Sequence, residues 1–388
     1  MITYVSAGLL ALLAVSIPVG IVLFLLGFGV DRFFSNFPLS RALGNMVWSS
    51  SSSATLIAIP FFVLLGEVLV RSGVATRTYA ALDRWVSWLP GGLVHANVAT
   101  ATMFSATSGS SVATAATVAT VAMPQAEKLG YDPKLFSGAI AAGGTLGIMI
   151  PPSINLIVFG FLTQSSIPQL FLAGLVPGLG GQRRVFPLAQ MARALVDLVP
   201  ILILFGLIVG SIYRGWATPT EAAAVGVAGA FLIAAAFGGV SWTMLRESLL
   251  GTIKITSMIM LIIIGASFLN FTLSSAGLGR ELTAFMDGLG LGPIGFILVV
   301  VVLYIVLGFF IETLSLMVVT IPVIVPMVLE QGYDTVWFGI LMIVLIEMAL
   351  ITPPVGLNLY VVQGARKSGN IGEVMLGAAP YAIVMLLM

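Results

Sequence analysis

Long apolar runs divided by short polar interruptions fill this chain, and two of the longest are broken from inside by paired prolines. In the first half the runs are Val5 to Phe28, Ala54 to Val70, one beginning near Leu89, Leu135 to Phe161, and Leu170 to Leu179. In the second half they are Leu198 to Tyr213, Ala222 to Phe237, Thr256 to Leu273, Ile294 to Phe310, Val336 to Val362, and Val374 to Leu387. A spanning helix needs roughly 20 largely apolar residues, so the pattern predicts an all-α polytopic membrane protein with about 10 to 12 segments, some incomplete. Val5 to Phe28 has no basic leader before it and no small-residue cleavage pattern after it. It reads as a single first spanning helix rather than a signal peptide.

Two segments depart from this pattern. Ser105-Ala-Thr-Ser-Gly-Ser-Ser111, followed by small residues to Ala122, is too polar for an ordinary span. Gly308-Phe-Phe-Ile-Glu-Thr-Leu-Ser315, followed by Met317 to Pro326, is too punctuated. Each precedes a run holding a double proline, Pro151-Pro152 or Pro353-Pro354. Proline removes a backbone donor and interrupts a helix. Backbone that leaves the helix within a bilayer must be buried in protein or line a watery cavity. Both segments therefore read as re-entrant helical hairpins, each facing the broken helix that follows it.

The two halves repeat each other in register. Pro124, Gly130-Tyr131-Asp132 and Pro151-Pro152 return 202 residues later as Pro326, Gly332-Tyr333-Asp334 and Pro353-Pro354. Ser72-Gly73 is echoed by Ala276-Gly277, Pro90-x-Gly92 by Pro293-x-Gly295, and Leu172-x-Gly174-x-x-Pro177 by Met375-x-Gly377-x-x-Pro380, with offsets of 203 or 204. Residues 1–180 form the first repeat, with a hairpin at about 97–127 and a broken helix at about 135–161. Residues 181–195 are a connector, and 196–388 the second repeat, with a hairpin at about 303–330 and a broken helix at about 336–362. A duplicated membrane chain with helices broken at matching places has the sequence pattern of a secondary transporter.

Composition narrows this further. Of 388 residues, 59% are hydrophobic and 8% charged, against about 25% charged in a soluble domain. The net charge of +1 offers no basic surface for nucleic acid. Cysteine is absent, which excludes disulfides, thiolate metal sites and cysteine nucleophiles. His95 is the sole histidine, and neither a metal site nor catalysis is built on it alone. No Walker-type glycine loop, HExxH or Ser/His/Asp arrangement is found. The chain reads as no enzyme, and its driving energy would come from an ion gradient. Thr218-Pro219-Thr220-Glu221 reads as a well-capped helix start without further function.

The breaks hold the candidate chemistry. Unwound carbonyls and facing hydroxyls suit hard cations, while the free amides opening the next half-helix favour an anion. The first constellation joins Ser105 to Ser111 with Gly147-Ile-Met-Ile-Pro-Pro-Ser153. The second joins Gly308, Glu312, Thr313 and Ser315 with Ala349-Leu-Ile-Thr-Pro-Pro-Val-Gly-Leu-Asn358. Ser110, Ser111, Ser153, Asn155, Glu312, Thr313 and Asn358 are candidate substrate contacts; the small residues among them equally serve close helix packing. Glu312 and Glu347 are acidic groups in apolar segments and call for a cavity or a partner. Each is either a proton-coupled or substrate-contacting group or a hydrogen-bonded structural carboxyl. Glu67 and Lys254 lie nearer segment ends, where Lys254 can snorkel and Glu67 can reach the interface.

These residues resemble the large membrane subunit of tripartite ATP-independent periplasmic (TRAP) transporters, the DctM-like family. The resemblance covers nearly the full length. It rests on Ser108-Gly-Ser-Ser-Val-Ala-Thr-Ala, Gly147-Ile-Met-Ile-Pro-Pro-Ser153, Thr218-Pro-Thr-Glu-Ala-Ala-Ala-Val225 and Thr352-Pro-Pro-Val-Gly-Leu-Asn-Leu359. It implies two inverted repeats and an elevator mechanism, in which a transport domain holding hairpins and broken helices moves against a scaffold domain. It further implies a bacterial inner-membrane importer coupled to sodium ions and specific for a small organic acid bearing a carboxylate, such as sialic acid or a dicarboxylate. A small four-helix membrane subunit and a periplasmic substrate-binding protein would be its partners. By similarity, one sodium site would use Ser105, Ser108, Gly147, Ile150 and Pro152, and the second Gly308, Ala349, Thr352 and Val355. Family members often carry glycine where Ala349 stands, and the connector after Pro177 is shorter than usual. The alternative is a stand-alone ion-coupled carboxylate carrier that needs no binding protein.

Overall fold

The protein is described here by a computed structural model covering residues 2–15, 17–35, 38–74, 77–78, 81, 94, 97–98, 100–101, 111–128, 130–146, 153–166, 168–169, 188–277, 292–309, 311, 313–353, 356–366 and 369–387. Among these, every regular element is a helix. The first half holds α1 (Ile2–Ala14), α2 (Val19–Phe34), α3 (Leu43–Ser51), α4 (Ala54–Arg71), α5 (Ser111–Lys128), α6 (Pro133–Leu146) and α7 (Ile154–Thr163). The second holds α8 (Leu188–Tyr213), α9 (Pro219–Ala236), α10 (Trp242–Ser275), α11 (Pro293–Gly308), α12 (Thr313–Glu330), α13 (Thr335–Leu350), α14 (Leu357–Ala365) and α15 (Ile371–Leu387).

The N-terminal run corrects one expectation. Val5 to Phe28 is not a single span but two helices, because Pro18 has no N–H to donate and disfavours helical torsions at Ile17. The chain turns there and α1 folds back along α2. Tyr4 meets the rings of Phe33 and Phe34 at 5.9 and 5.4 Å, and Gly8 lies against Leu26. The span expected from Leu198 also begins earlier, at Leu188, inside the segment read as a connector. Thr256 to Leu273 is part of the 34-residue α10, about 51 Å long at 1.5 Å per residue. That exceeds a hydrocarbon core of about 30 Å, so α10 tilts or projects beyond it.

Two groups of helices result. In one, α2 packs on α10 and α9 packs on α4, with α4 and α10 in mutual contact. Gly27 admits the Phe268 ring in the first pair, and Gly226 admits Leu65 in the second. Leu202, Ile203, Leu207, Leu232 and Ile253 point outward as a lipid-facing surface. Trp216 and Trp242, at opposite ends of α9, are exposed as interfacial anchors are. Thr218 caps α9 as expected: its hydroxyl accepts the Glu221 N–H while the Glu221 carboxylate accepts the Thr218 N–H.

The second group contains α5, α6, α7 and α11 to α15. Here α12 is the informative helix, with 78% of its residues buried against 28–33% in the other long apolar helices. A helix apolar on all sides belongs in a protein interior, and α12 is surrounded by α7, α10, α11 and α13. The boundaries of α5 and α12 are both offset by 202 residues, and α6 and α13 start at the same offset. The turns joining each pair match in detail. Gly130 and Gly332 take left-handed φ values of +70° and +80°. The next N–H, of Tyr131 or Tyr333, reaches back to Ala126 or Val328 O at 3.1 Å. Asp132 Oδ1 then accepts the Lys134 N–H at 2.7 Å, and Asp334 Oδ1 accepts those of Val336 and Trp337 at 2.9 Å. Gly-Tyr-Asp is thus a helix stop followed by a helix start. Pairing across the halves is reciprocal as well: α14 lies on α5, and α7 lies on α12.

Candidate functional site

The second-half break is described nearly in full. α13 stops at Leu350, and α14 starts at Leu357 after Gly356, whose φ is +44°. Its carbonyls gather there. Met348 O accepts from the Ile351 N–H at 3.1 Å and the Thr352 hydroxyl at 2.7 Å. Ala349 O accepts the Thr352 N–H at 3.2 Å. Leu350 O and Thr352 O lie 3.1 and 3.0 Å from where a Cβ on Gly356 would stand, so glycine leaves both oxygens room. Leu350 O and Thr352 O thus lie beside the Gly356 α-carbon, while Met348 O and Ala349 O accept hydrogen bonds within the turn.

Of the four residues assigned by similarity to the second sodium site, Gly308, Ala349 and Thr352 are described. Gly308 ends α11 directly against Ala349, and a Cβ on Gly308 would come within 2.6 Å of the Ala349 methyl. Ala349 is fully buried and has no positive φ, so its backbone does not demand glycine. The methyl at 349 and its absence at 308 are two sides of one contact.

Glu347, left between two readings by the sequence, joins the two halves. It is fully buried. Its Oε2 accepts the Ser111 hydroxyl at 2.7 Å, and its Oε1 accepts the Thr313 hydroxyl at 2.8 Å. Ser111 opens α5 and Thr313 opens α12, 202 residues apart. The shared offset was the available signal, although only packing shows that both hydroxyls reach one carboxylate. Gly144 of α6 backs this point, since a Cβ there would approach Ser111 O at 3.0 Å.

Ser153 and Asn155 are buried at the start of α7, where the Ser153 hydroxyl caps the helix by accepting the Leu156 N–H at 3.3 Å. Asn358, also buried, donates to Ala141 O of α6 at 3.3 Å. Asn155 and Asn358 are each the second residue of their half-helix, so the one-residue difference in their spacing from the prolines is taken up before it. Each keeps one buried amide atom without a partner among the described residues, Nδ2 of Asn155 and Oδ1 of Asn358. Ser105, Ser108, Ser110, Gly147, Ile150, Pro152, Glu312 and Val355 lie outside the described residues.

Away from the breaks, Glu67 pairs with Arg71 at 2.5 Å, and Arg71 with Glu247 of α10 at 2.7 Å. Lys254 is exposed. A cavity of about 370 Å3 opens between the two helix groups, lined by Met46, Asn270 and Ser274 on one side and by Gln164, Ile321 and Pro322 on the other.

Comparison with known proteins adds the following. A family model described as "Tripartite ATP-independent periplasmic transporter, DctM component" matches residues 6–180 and 181–388. The C4-dicarboxylate TRAP transporter large permease protein DctM of Pseudomonas aeruginosa is 34% identical over 366 residues, 89% of this chain and 85% of that protein. The isethionate TRAP transporter permease protein DctMQ of Oleidesulfovibrio alaskensis is 30% identical over 402 residues, 97% of this chain and 62% of that protein. In fold, the chain is similar to the crystal structure of the Alcanivorax borkumensis YdaH transporter, with a TM-score of 0.67 over 95% of this chain and 94% of that one, at 14% identity.

Proposed function

This chain belongs to the DctM component family of tripartite ATP-independent periplasmic transporters, and from that premise we propose a sodium-coupled importer of a carboxylate-bearing organic acid. It is a transport permease subunit and not an enzyme. Its two halves are inverted repeats; α5 and α12 are the inner arms of two re-entrant hairpins, and α6–α7 and α13–α14 are broken helices. The observation that carries this reading is the convergence of the helix starts at Ser111 and Thr313 beside the second break. Sodium ions travel as co-substrates, one beside Ser105, Ser108, Gly147, Ile150 and Pro152, the other beside Gly308, Ala349, Thr352 and Val355. The Leu350 and Thr352 carbonyl oxygens, both near 3 Å from the space that Gly356 leaves open, support the second assignment.

The substrate anion sits between them, near the starts of α7 and α14, where helix-terminal amides favour negative charge. The partnerless amide atoms of Asn155 and Asn358 support that position, and the C4-dicarboxylate relative supports a carboxylate. The second helix group is the mobile transport domain of an elevator, carrying the site across the bacterial inner membrane past the α2–α4 and α8–α10 scaffold. The burial of α12 away from lipid supports this division. A small membrane subunit and a periplasmic substrate-binding protein complete the system, and the DctMQ relative supports the first of these.

The test is reconstitution with both partners in liposomes, following uptake of a labelled C4-dicarboxylate. Uptake should require an inward sodium gradient, and uptake undiminished when potassium replaces sodium would sink the coupling. Ser108→Ala and Thr352→Ala should each weaken sodium dependence; normal sodium affinity in both would show the sites to be misassigned. Purification without any small membrane subunit, together with partner-free uptake, would favour the stand-alone carrier.

A further inference from the structure

The donors on Glu347 are the same position of the two halves, which packing alone does not require. Ser111 directly follows the polar stretch Ser105 to Ser110, and Thr313 directly follows Gly308 to Glu312. In sequence, a candidate cation-binding segment of each half thus runs directly into a helix start, and the first hydroxyls of the two helices are held by one shared carboxyl group. We propose that Glu347 is the positioning residue that couples the two sites, so that filling one fixes the helix start beside the other. This rests on the two-cation reading above.

An asymmetry between the halves supports it. The residue 202 positions before Glu347 is Thr145, whose hydroxyl turns back to its own helix, onto Ala142 O at 2.7 Å. Thr145 therefore supplies no second anchor for either helix start. One carboxyl with two oxygens makes both starts share an anchor. Glu347 is fully buried, so water cannot replace a hydroxyl that moves away. The backbone around the clamp has little slack, since Gly144 backs Ser111 and Gly308 abuts Ala349. Ala349, whose carbonyl is a candidate cation ligand, is two residues along α13 from Glu347. A shift of either helix start thus reaches the second break through a connected set of bonds.

Sodium-induced thermal stabilisation of the purified full-length chain reads this out, with potassium at equal ionic strength as the control. Wild type should be stabilised along a sigmoidal sodium curve, because coupled sites fill together. Ser111→Ala, Thr313→Ala and Glu347→Gln should each lower apparent sodium affinity by about 10-fold, the loss of one strong buried hydrogen bond. Each should also flatten the curve toward a hyperbola. Ser111→Ala/Thr313→Ala should match either single variant, since the link is already cut. Variants that keep the wild-type sigmoid overturn the coupling and leave the two-cation reading standing. A double variant showing the summed losses of the singles also overturns it, because independent sites add. A wild type that responds no better to sodium than to potassium overturns the cation reading and the coupling with it. Should Glu347→Gln fail to fold, the two hydroxyl deletions, which remove one oxygen each, decide the matter.

Discussion

Replacing Gly308 by alanine attacks the candidate second cation site through a single contact, and a compensating change tests whether that contact is the cause. The new Cβ would stand 2.6 Å from the Ala349 Cβ, where carbon atoms at rest keep about 3.5–4.0 Å. Neither atom can rotate away, because each is bonded directly to helical backbone. α11 and α13 would have to part locally by about 1 Å, a distortion in the range of about 1–3 kcal/mol. The displaced group carries the Ala349 carbonyl, so most of that energy should appear as lost ion binding, about 10-fold or more in apparent sodium affinity. Ala349→Gly removes the opposing methyl at a helix-propensity cost of about 1 kcal/mol. Gly308→Ala/Ala349→Gly then has one methyl in the gap, as in wild type. It should recover about 1–2 kcal/mol relative to the sum of its single variants. Thermal midpoints in detergent, taken with sodium-dependent uptake, measure both quantities. A double variant no more stable and no better at binding sodium than Gly308→Ala alone would refute the reasoning.

Two further outcomes follow from contacts outside the site. Helices α6 and α15 pack closely where Gly138 meets Gly377. Gly377→Ala should destabilise the second helix group by more than about 3 kcal/mol, because its Cβ would fall on the Lys134 carbonyl of α6, a backbone atom that cannot yield; a purified variant melting like wild type would show that α6 and α15 do not cross at this point. The Arg366–Glu373 pair, 2.6 Å apart, should be lopsided, since Arg366 is 4% exposed and Glu373 35%. Glu373→Gln strands a buried guanidinium and should lower stability by about 2 kcal/mol or more, whereas Arg366→Met leaves a carboxylate that water reaches and should cost less than about 1 kcal/mol; equal thermal shifts for the two variants would contradict this.

Much of the architecture was legible residue by residue. Around Pro353-Pro354, α13 stops at Leu350 and α14 starts at Leu357, whereas Pro151-Pro152 lies outside the described residues. The Gly-Tyr-Asp repeats marked two turns, and the turns match atom for atom. The same backbone rules, applied to Pro18, would have divided the first apolar run; its hydrophobicity argued for one span, and the missing donor decided against it. The extent of α10 was hidden for a related reason. Arg246, Glu247 and Lys254 lower the hydropathy of its first turns without breaking the helix, so a pattern of apolar length saw only its later part.

Glu347 marks where reading from sequence ended. The chain by itself determined the helical class, the Gly-Tyr-Asp turns and the helix caps, because glycine torsions, end caps and apolar length act over a few residues. It also offered Ser111, Thr313 and Glu347 as separate candidates. That they are one unit was decided by tertiary structure alone: Ser111 lies 236 residues from the carboxylate it binds. The bond forms only because α5, α12 and α13 meet at a point where Gly144 and Gly308 leave room, and no local backbone rule extends over that distance.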